Sequence, residues 1–169
     1  GAFLFGVGHH IAAWRHPAVD PGAASRIQYL QHWARLAEAA KLDAVFFADN
    51  VGLSEAPAEA LARNALPYPL DPLLVHAALA TSTQRIGLVA TVSATYLPPY
   101  HLARKFATLD HLSGGRSGWN LVTSGSDFEA QAFGLPHQLD HAHRYEKAHE
   151  YVKVVKGLWD TWEDDAFIQ

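Results

Sequence analysis

Short apolar runs recur along the chain, and each is followed by a segment whose apolar residues share one helical face. The first run, AFLFGVG (Ala2 to Gly8), closes on glycine and predicts a strand. A loop bearing His9, His10, Trp14, Arg15 and His16 comes next. Ser25 stands where a helix cap is expected, and Ile27, Leu30, Ala34, Ala37 and Ala40 fall on one face of a helix through Lys41. DAVFFAD (Asp43 to Asp49) predicts the second strand, and the Ala- and Pro-rich stretch from Asn50 to Leu70 a long loop. Asp71-Pro72 has the form of an N-cap with proline at the first helical position, opening a helix over Leu73 to Thr83. RIGLVATVS (Arg85 to Ser93) predicts the third strand. Pro98-Pro99 breaks the chain, a helix runs to about Leu112, and Gly114-Gly115 stops it in the left-handed conformation that glycine accepts. The fourth strand lies in GGRSGWNLVTSGSDFEA, and a long last helix runs from near Asp140 to near Trp162.

Four strands alternating with helices predict an α/β fold. Several strands lack clean alternation, as expected for parallel strands covered on both faces. In such folds function collects at the carboxyl ends of the strands. Polar residues collect there in this chain: His9 and His10 after strand one, Asp49 and Asn50 after strand two, Ser93, Thr95 and Tyr96 after strand three, and Asn120, Thr123 and Ser124 at strand four. Turn chemistry explains one such cluster. Four at the same end describe the mouth of a pocket.

Composition narrows the chemistry. The 169 residues are enough for one core, and 49% are hydrophobic, as in a folded domain. A net charge of -4 gives no footprint for nucleic acid. No apolar segment has the length of a membrane span, and the first residues lack the basic region of a signal peptide. There is no cysteine, which excludes a thiolate nucleophile and fits a reducing, cytoplasmic setting. With no methionine, Gly1 reads as a trimmed or processed end. GVGHHI has only two glycines of a dinucleotide fingerprint, and Asp49 follows at the wrong distance. Glu146 and His149 form a single Glu-x-x-His pair, so no metal site is expected. No Gly-x-Ser-x-Gly elbow is present.

GGRSGWNLVTS, FFAD after strand two, HPAVDP in the first loop and HRYEKAHEYVKVVKGLWDTW in the last helix occur in one order along the chain. In these motifs it resembles the bacterial-luciferase-like flavin-dependent monooxygenases, in the branch of nitrilotriacetate, dibenzothiophene-sulfone and long-chain alkane monooxygenases. The resemblance implies a TIM-type (β/α)8 barrel and reduced FMN (FMNH2) supplied by a separate NAD(P)H:flavin reductase. It also implies O2 and a small organic molecule as substrates, no nucleic-acid or membrane partner, and a homo-oligomer. Asp49, Thr95, Asn120, His141 and Tyr145 match its flavin-contacting positions. Each has a plainer role open to it. Asp49 can cap a turn, Thr91 can stand in for Thr95, and Asn120 can bond a neighbouring strand. His141 and Tyr145, one helical turn apart, are expected at the FMN phosphate. One of His9 and His10 faces the pocket; His10 is the candidate substrate contact.

A TIM barrel takes about 250 residues. The expectation is therefore that residues 1–169 form the N-terminal portion, about four strand-helix units, of a single barrel domain. A fragment of a longer enzyme, a chain with a complementary partner, and a short non-catalytic half-barrel acting as a flavin-binding or interaction module all fit that length.

Overall fold

The structure, a computed structural model, describes residues 1–10, 12–52, 57–62, 70–163 and 166. Strands β1 (Ala2–Phe3), β2 (Ala44–Phe47), β3 (Gly87–Ser93) and β4 (Ser117–Val122) form one sheet in the order β1-β2-β3-β4. Every neighbouring pair is parallel. Parallel neighbours need a crossover, and helices α1 (Ile27–Ala39), α3 (Pro72–Ala80) and α4 (Pro99–Ser113) lie in the three crossovers. Between β2 and α3 lies the short α2 (Ala58–Leu61), and after β4 come α5 (Asp127–Ala132) and α6 (His141–Asp160). None of the described helices is long and apolar enough to cross a membrane.

Local chemistry sets several helix ends. Asp71 accepts the Leu74 amide at 3.1 Å with Pro72 at the first helical position. Asp140 does the same for the His143 amide at 3.1 Å, starting α6. Gly114, at φ 70°, ends α4 as expected. Ser25 departs from expectation. Its hydroxyl donates to the Gly22 carbonyl at 3.1 Å and closes a 3-10 turn over Ala23–Ser25, so Arg26 precedes α1 without a side-chain cap. The first strand is also shorter than its apolar run. Beyond Leu4, whose amide still reaches the Phe46 carbonyl, the chain leaves β2, and Gly6 turns at φ 51°. The loop expected over Asn50 to Leu70 contains α2, and residues 53–56 and 63–69 of it lie outside the described residues.

The core sits between the sheet and its helices. Leu30, Ala34, Val45, Val75, Leu79 and Leu88 form one cluster under α1 and α3. Ala90, Leu102, Phe106, Ala148, Tyr151 and Val155 form the other under α4 and α6. Each fully buried Leu or Val among them contributes about 1.5–3 kcal/mol. Side chains alternate along a strand, so Ala2 and Leu4 pack toward the helices while Phe3 turns to the opposite face. There Phe3 meets Phe46, ring centroids 4.8 Å apart. That inner face is open: Phe3 is 42% exposed and Phe5 50%.

The amino ends of β3 and β4 are tied by two side chains. Glu38 of α1 accepts the amides of Gln84, Arg85 and Ile86 at 2.9, 2.5 and 3.0 Å, and these bonds, Arg85 first, hold its carboxyl below the usual carboxylate range. Arg116 donates to the carbonyls of Ser113, Ile86, Ala80 and Thr83 and to the Thr83 hydroxyl, at 2.6–3.3 Å. In sheets of this type the amino-end face serves stability and leaves the other end for chemistry.

Candidate active site at the carboxyl ends of the strands

Asn120 sits opposite Thr91 in the β3–β4 register. Its Nδ2 donates to the Thr91 Oγ1 at 3.0 Å, and that hydroxyl donates to the Phe47 carbonyl at 2.7 Å. One chain of bonds thus links β2, β3 and β4 at a single level. Trp119 and Leu121, the neighbours of Asn120, pack among the helices, so Asn120 takes the inner face, as alternation required. The bond to a neighbouring strand is the one that the sequence left open for it.

One step further along, Thr95 is buried and donates to the Thr123 carbonyl at 2.5 Å, while its amide donates to the Ser93 Oγ at 3.2 Å. Ser124 Oγ lies 3.0 Å from Ser93 Oγ and 2.9 Å from Glu129 Oε1. A hydroxyl has one proton and a carboxylate only accepts, so Ser124 donates to Glu129 and Ser93 donates to Ser124. Ser124 adopts φ 57°, a left-handed conformation that costs a non-glycine residue about 1–2 kcal/mol. Glu129 offsets that cost. It is 8% exposed, and its Oε2 accepts the amides of Gly125 and Ser126 at 3.0 and 3.2 Å. With Ser126 it forms the capping box that starts α5. Neither α5 nor Glu129 was expected from the periodicity, although Ser126-Asp127-Phe128-Glu129 carries the capping-box signature.

Helix α6 packs on α4 and reaches the segments that follow β3 and β4. Tyr145 lines a cavity of about 350 Å³ with Leu121, Val122, Thr123 and Ser124. The His141 ring lies against Tyr145, centroids 4.6 Å apart, at the start of the helix. From the adjoining face Arg144 Nη1 donates to the Ser124 carbonyl, Lys147 Nζ to the Thr95 carbonyl at 2.7 Å, and the Tyr151 hydroxyl to the Leu97 carbonyl at 2.8 Å. Arg144 Nε is buried without a hydrogen-bond partner among the described residues. Arg144 and Lys147 were not singled out in the sequence, because nothing local distinguishes them from other helix-surface cations.

Asp49 follows β2 and is half-buried. Burial pushes its carboxyl up to about 6, and the nearby charges of Asp71 and Glu129 push the same way, against a hydrogen bond from the Asn50 backbone. Asp49, Thr95 and Asn120 lie toward the carboxyl ends of β2, β3 and β4, and on α6 Tyr145 lines the cavity beside Ser124 with His141 against it. His10 does not join them: it is exposed, and its Nδ1 accepts the Ala12 amide at 3.1 Å in a local turn. Of the two histidines, His9 faces the inner side, edge-on to Phe3 (4.7 Å) and stacked on Phe5 (5.7 Å).

The profile of the luciferase-like monooxygenases matches residues 7–166. The chain belongs to this family. It is 46% identical over 170 residues to the N-acetyl-S-(2-succino)cysteine monooxygenase of Bacillus subtilis, covering all of this chain and 37% of that protein. Among solved structures, a long-chain alkane monooxygenase superposes with a TM-score of 0.89 at 38% identity, over 99% of this chain and 40% of the other. A riboflavin lyase solved with modified FMN and riboflavin gives a TM-score of 0.83 at 41% identity, over 92% and 36%. The branch read from the motifs is thus the one matched. The four parallel strands with their helices make up part of a (β/α)8 barrel, and the chain spans about 40% of the length of these family members.

Proposed function

We propose that the full-length protein is a two-component monooxygenase. A separate NAD(P)H:flavin reductase supplies reduced FMN in the cytoplasm, one oxygen atom of O2 enters a small organic substrate, and the other leaves as water. Residues 1–169 are the N-terminal portion of its single barrel domain. The observation that carries this reading is the hydrogen-bonded network of Asn120, Thr91, Ser93, Thr95 and Ser124 toward the carboxyl ends of β3 and β4, beside a cavity lined by Thr123, Ser124 and Tyr145. The similarity to monooxygenases and to a protein solved with modified FMN supports it.

The residues present suit the cofactor. Thr123, Ser124 and Tyr145 put hydroxyl donors and acceptors around the cavity, and Asn120 adds an amide on the inner face of β4. Asp49, Asn120 and Thr95 take the ring end; His141 and Tyr145, on the first turns of α6, take the phosphate end. Flavin, when bound, supplies the redox chemistry. This chain's residues bind and orient, Leu121 and Val122 exclude water, and the Asp49 carboxyl can hold a proton near pH 6.

The test is titration of the full-length gene product with FMN and with riboflavin, followed by turnover with reductase, NADH and a panel of sulfones, alkanes, aminocarboxylates and S-substituted cysteines. His141→Ala and Tyr145→Phe are expected to weaken FMN binding and leave riboflavin nearly unaffected. Failure to bind FMN refutes the reading. FMN binding without turnover on any substrate class favours a flavin-binding or interaction module instead.

A further inference from the structure

Three donors stand at i, i+3 and i+7 on one face of α6: Arg144, Lys147 and Tyr151. All three donate to backbone carbonyls, and every acceptor lies just past the end of β3 or β4: Ser124, Thr95 and Leu97. We propose that Arg144 and Lys147 are positioning residues that set the span between the two ends of the candidate flavin site. The inference rests on the reading of that site given above.

Docking of α6 as such does not need these cations. Ala148, Tyr151 and Val155 already pack it against Leu102, Ala103 and Phe106. The cations act where that apolar contact stops. Arg144 holds the left-handed Ser124 from outside while Glu129 holds it from within. Lys147 holds the carbonyl of Thr95, whose hydroxyl and amide are bound to Thr123 and Ser93. His141 and Tyr145 are rooted in the same turns of α6, with Tyr145 next to Arg144 in sequence. The separation of Tyr145 from Thr95 and Asn120 is therefore fixed through the two cations. Misplacement by about 1 Å is enough to cost a site of this kind a large part of its function, roughly a hundredfold in rate. The ring end keeps its own bonds when the clamp is cut, because those run among β2, β3, β4 and the residues that directly follow them, without α6.

The experiment compares FMN and riboflavin affinities of the full-length wild type, Lys147→Met and Arg144→Met, with melting temperatures measured alongside. Losing a charge-assisted hydrogen bond at the clamp is expected to weaken FMN roughly tenfold and riboflavin less than about twofold. Lys147→Arg, which can still donate to the Thr95 carbonyl, is expected to recover most of the loss. A purely structural role would lower the melting temperature and leave the FMN-to-riboflavin ratio of the folded protein unchanged; that result overturns the proposal. If one variant does not fold, the ratio in the other decides. A wild type that binds both flavins equally refutes the reading of the phosphate end itself. A wild-type preference for FMN that survives in both variants overturns the clamp alone.

Discussion

Replacing Asp49 with Asn is expected to stabilise the protein, and only above a certain pH. The carboxyl rises from the ordinary 3.8 to about 6, first through burial, then through the charges of Asp71 and Glu129. A folded-state value above the unfolded one means that the folded protein binds the proton more tightly. The native state is therefore favoured below pH 3.8 and loses that advantage as pH rises from 3.8 through about 6. A rise of about two pH units, at about 1.4 kcal/mol each, is about 3 kcal/mol. The side chain is partly open to water, so screening reduces this to about 1–2 kcal/mol. Asn is nearly the same size and carries no charge to desolvate. Asp49→Asn should then gain about 1–2 kcal/mol at pH 7.5 and nothing at pH 4. For a folded unit of about 150–250 residues that is a rise of about 2–8 °C in melting temperature, and less for a larger barrel. Urea titrations of both proteins at pH 4, 5, 6 and 7.5 measure it. The reasoning is refuted by a difference that is the same at every pH, or by a variant less stable at pH 7.5. If the carboxyl serves the flavin, the same variant should bind FMN more weakly while unfolding later.

Two further substitutions test the framework around the site. Arg116→Met removes every donor that ties Ser113, Ala80, Thr83 and Ile86 together. It is expected to cost about 2–4 kcal/mol in urea unfolding while the folded protein binds flavin as before; an unchanged midpoint contradicts the role given to Arg116 in tying the amino ends of β3 and β4. Gly52→Ala places a methyl group 2.7 Å from the backbone of Glu129, so the β2 loop and α5 must part. Both thermal stability and the Ser124–Glu129 bond should suffer, read as a lower melting temperature with weaker FMN binding, and a neutral substitution would show that the two segments are not in contact.

Features that depend on a few consecutive residues were legible in the sequence. Asp71-Pro72 and Asp140 start helices because a side-chain oxygen meets an amide three residues on. Gly114 ends α4 because a positive φ strains any side chain. The inner-face orientation of Asn120 follows from strand alternation alone. Ser126 and Glu129 belong to the same local class, and a capping-box reading would have found them; the hydrophobic period does not register polar signals. Tertiary structure decided the rest. That Asn120 bonds Thr91 depends on the register of two strands joined only through α4, and no local spacing encodes it. Arg144 and Lys147 look like any solvent-facing cations until the chain brings the carbonyls of Ser124 and Thr95 beneath them. His9 and His10 are adjacent and chemically identical, and only the turn at Gly6 and Gly8 sets one against Phe3 and Phe5 and the other in a local turn with Ala12. Asp49 reads as an ordinary acid because its raised value arises from burial and from carboxylates 22 and 80 residues away, a sum of distances that exists only once the strands are side by side.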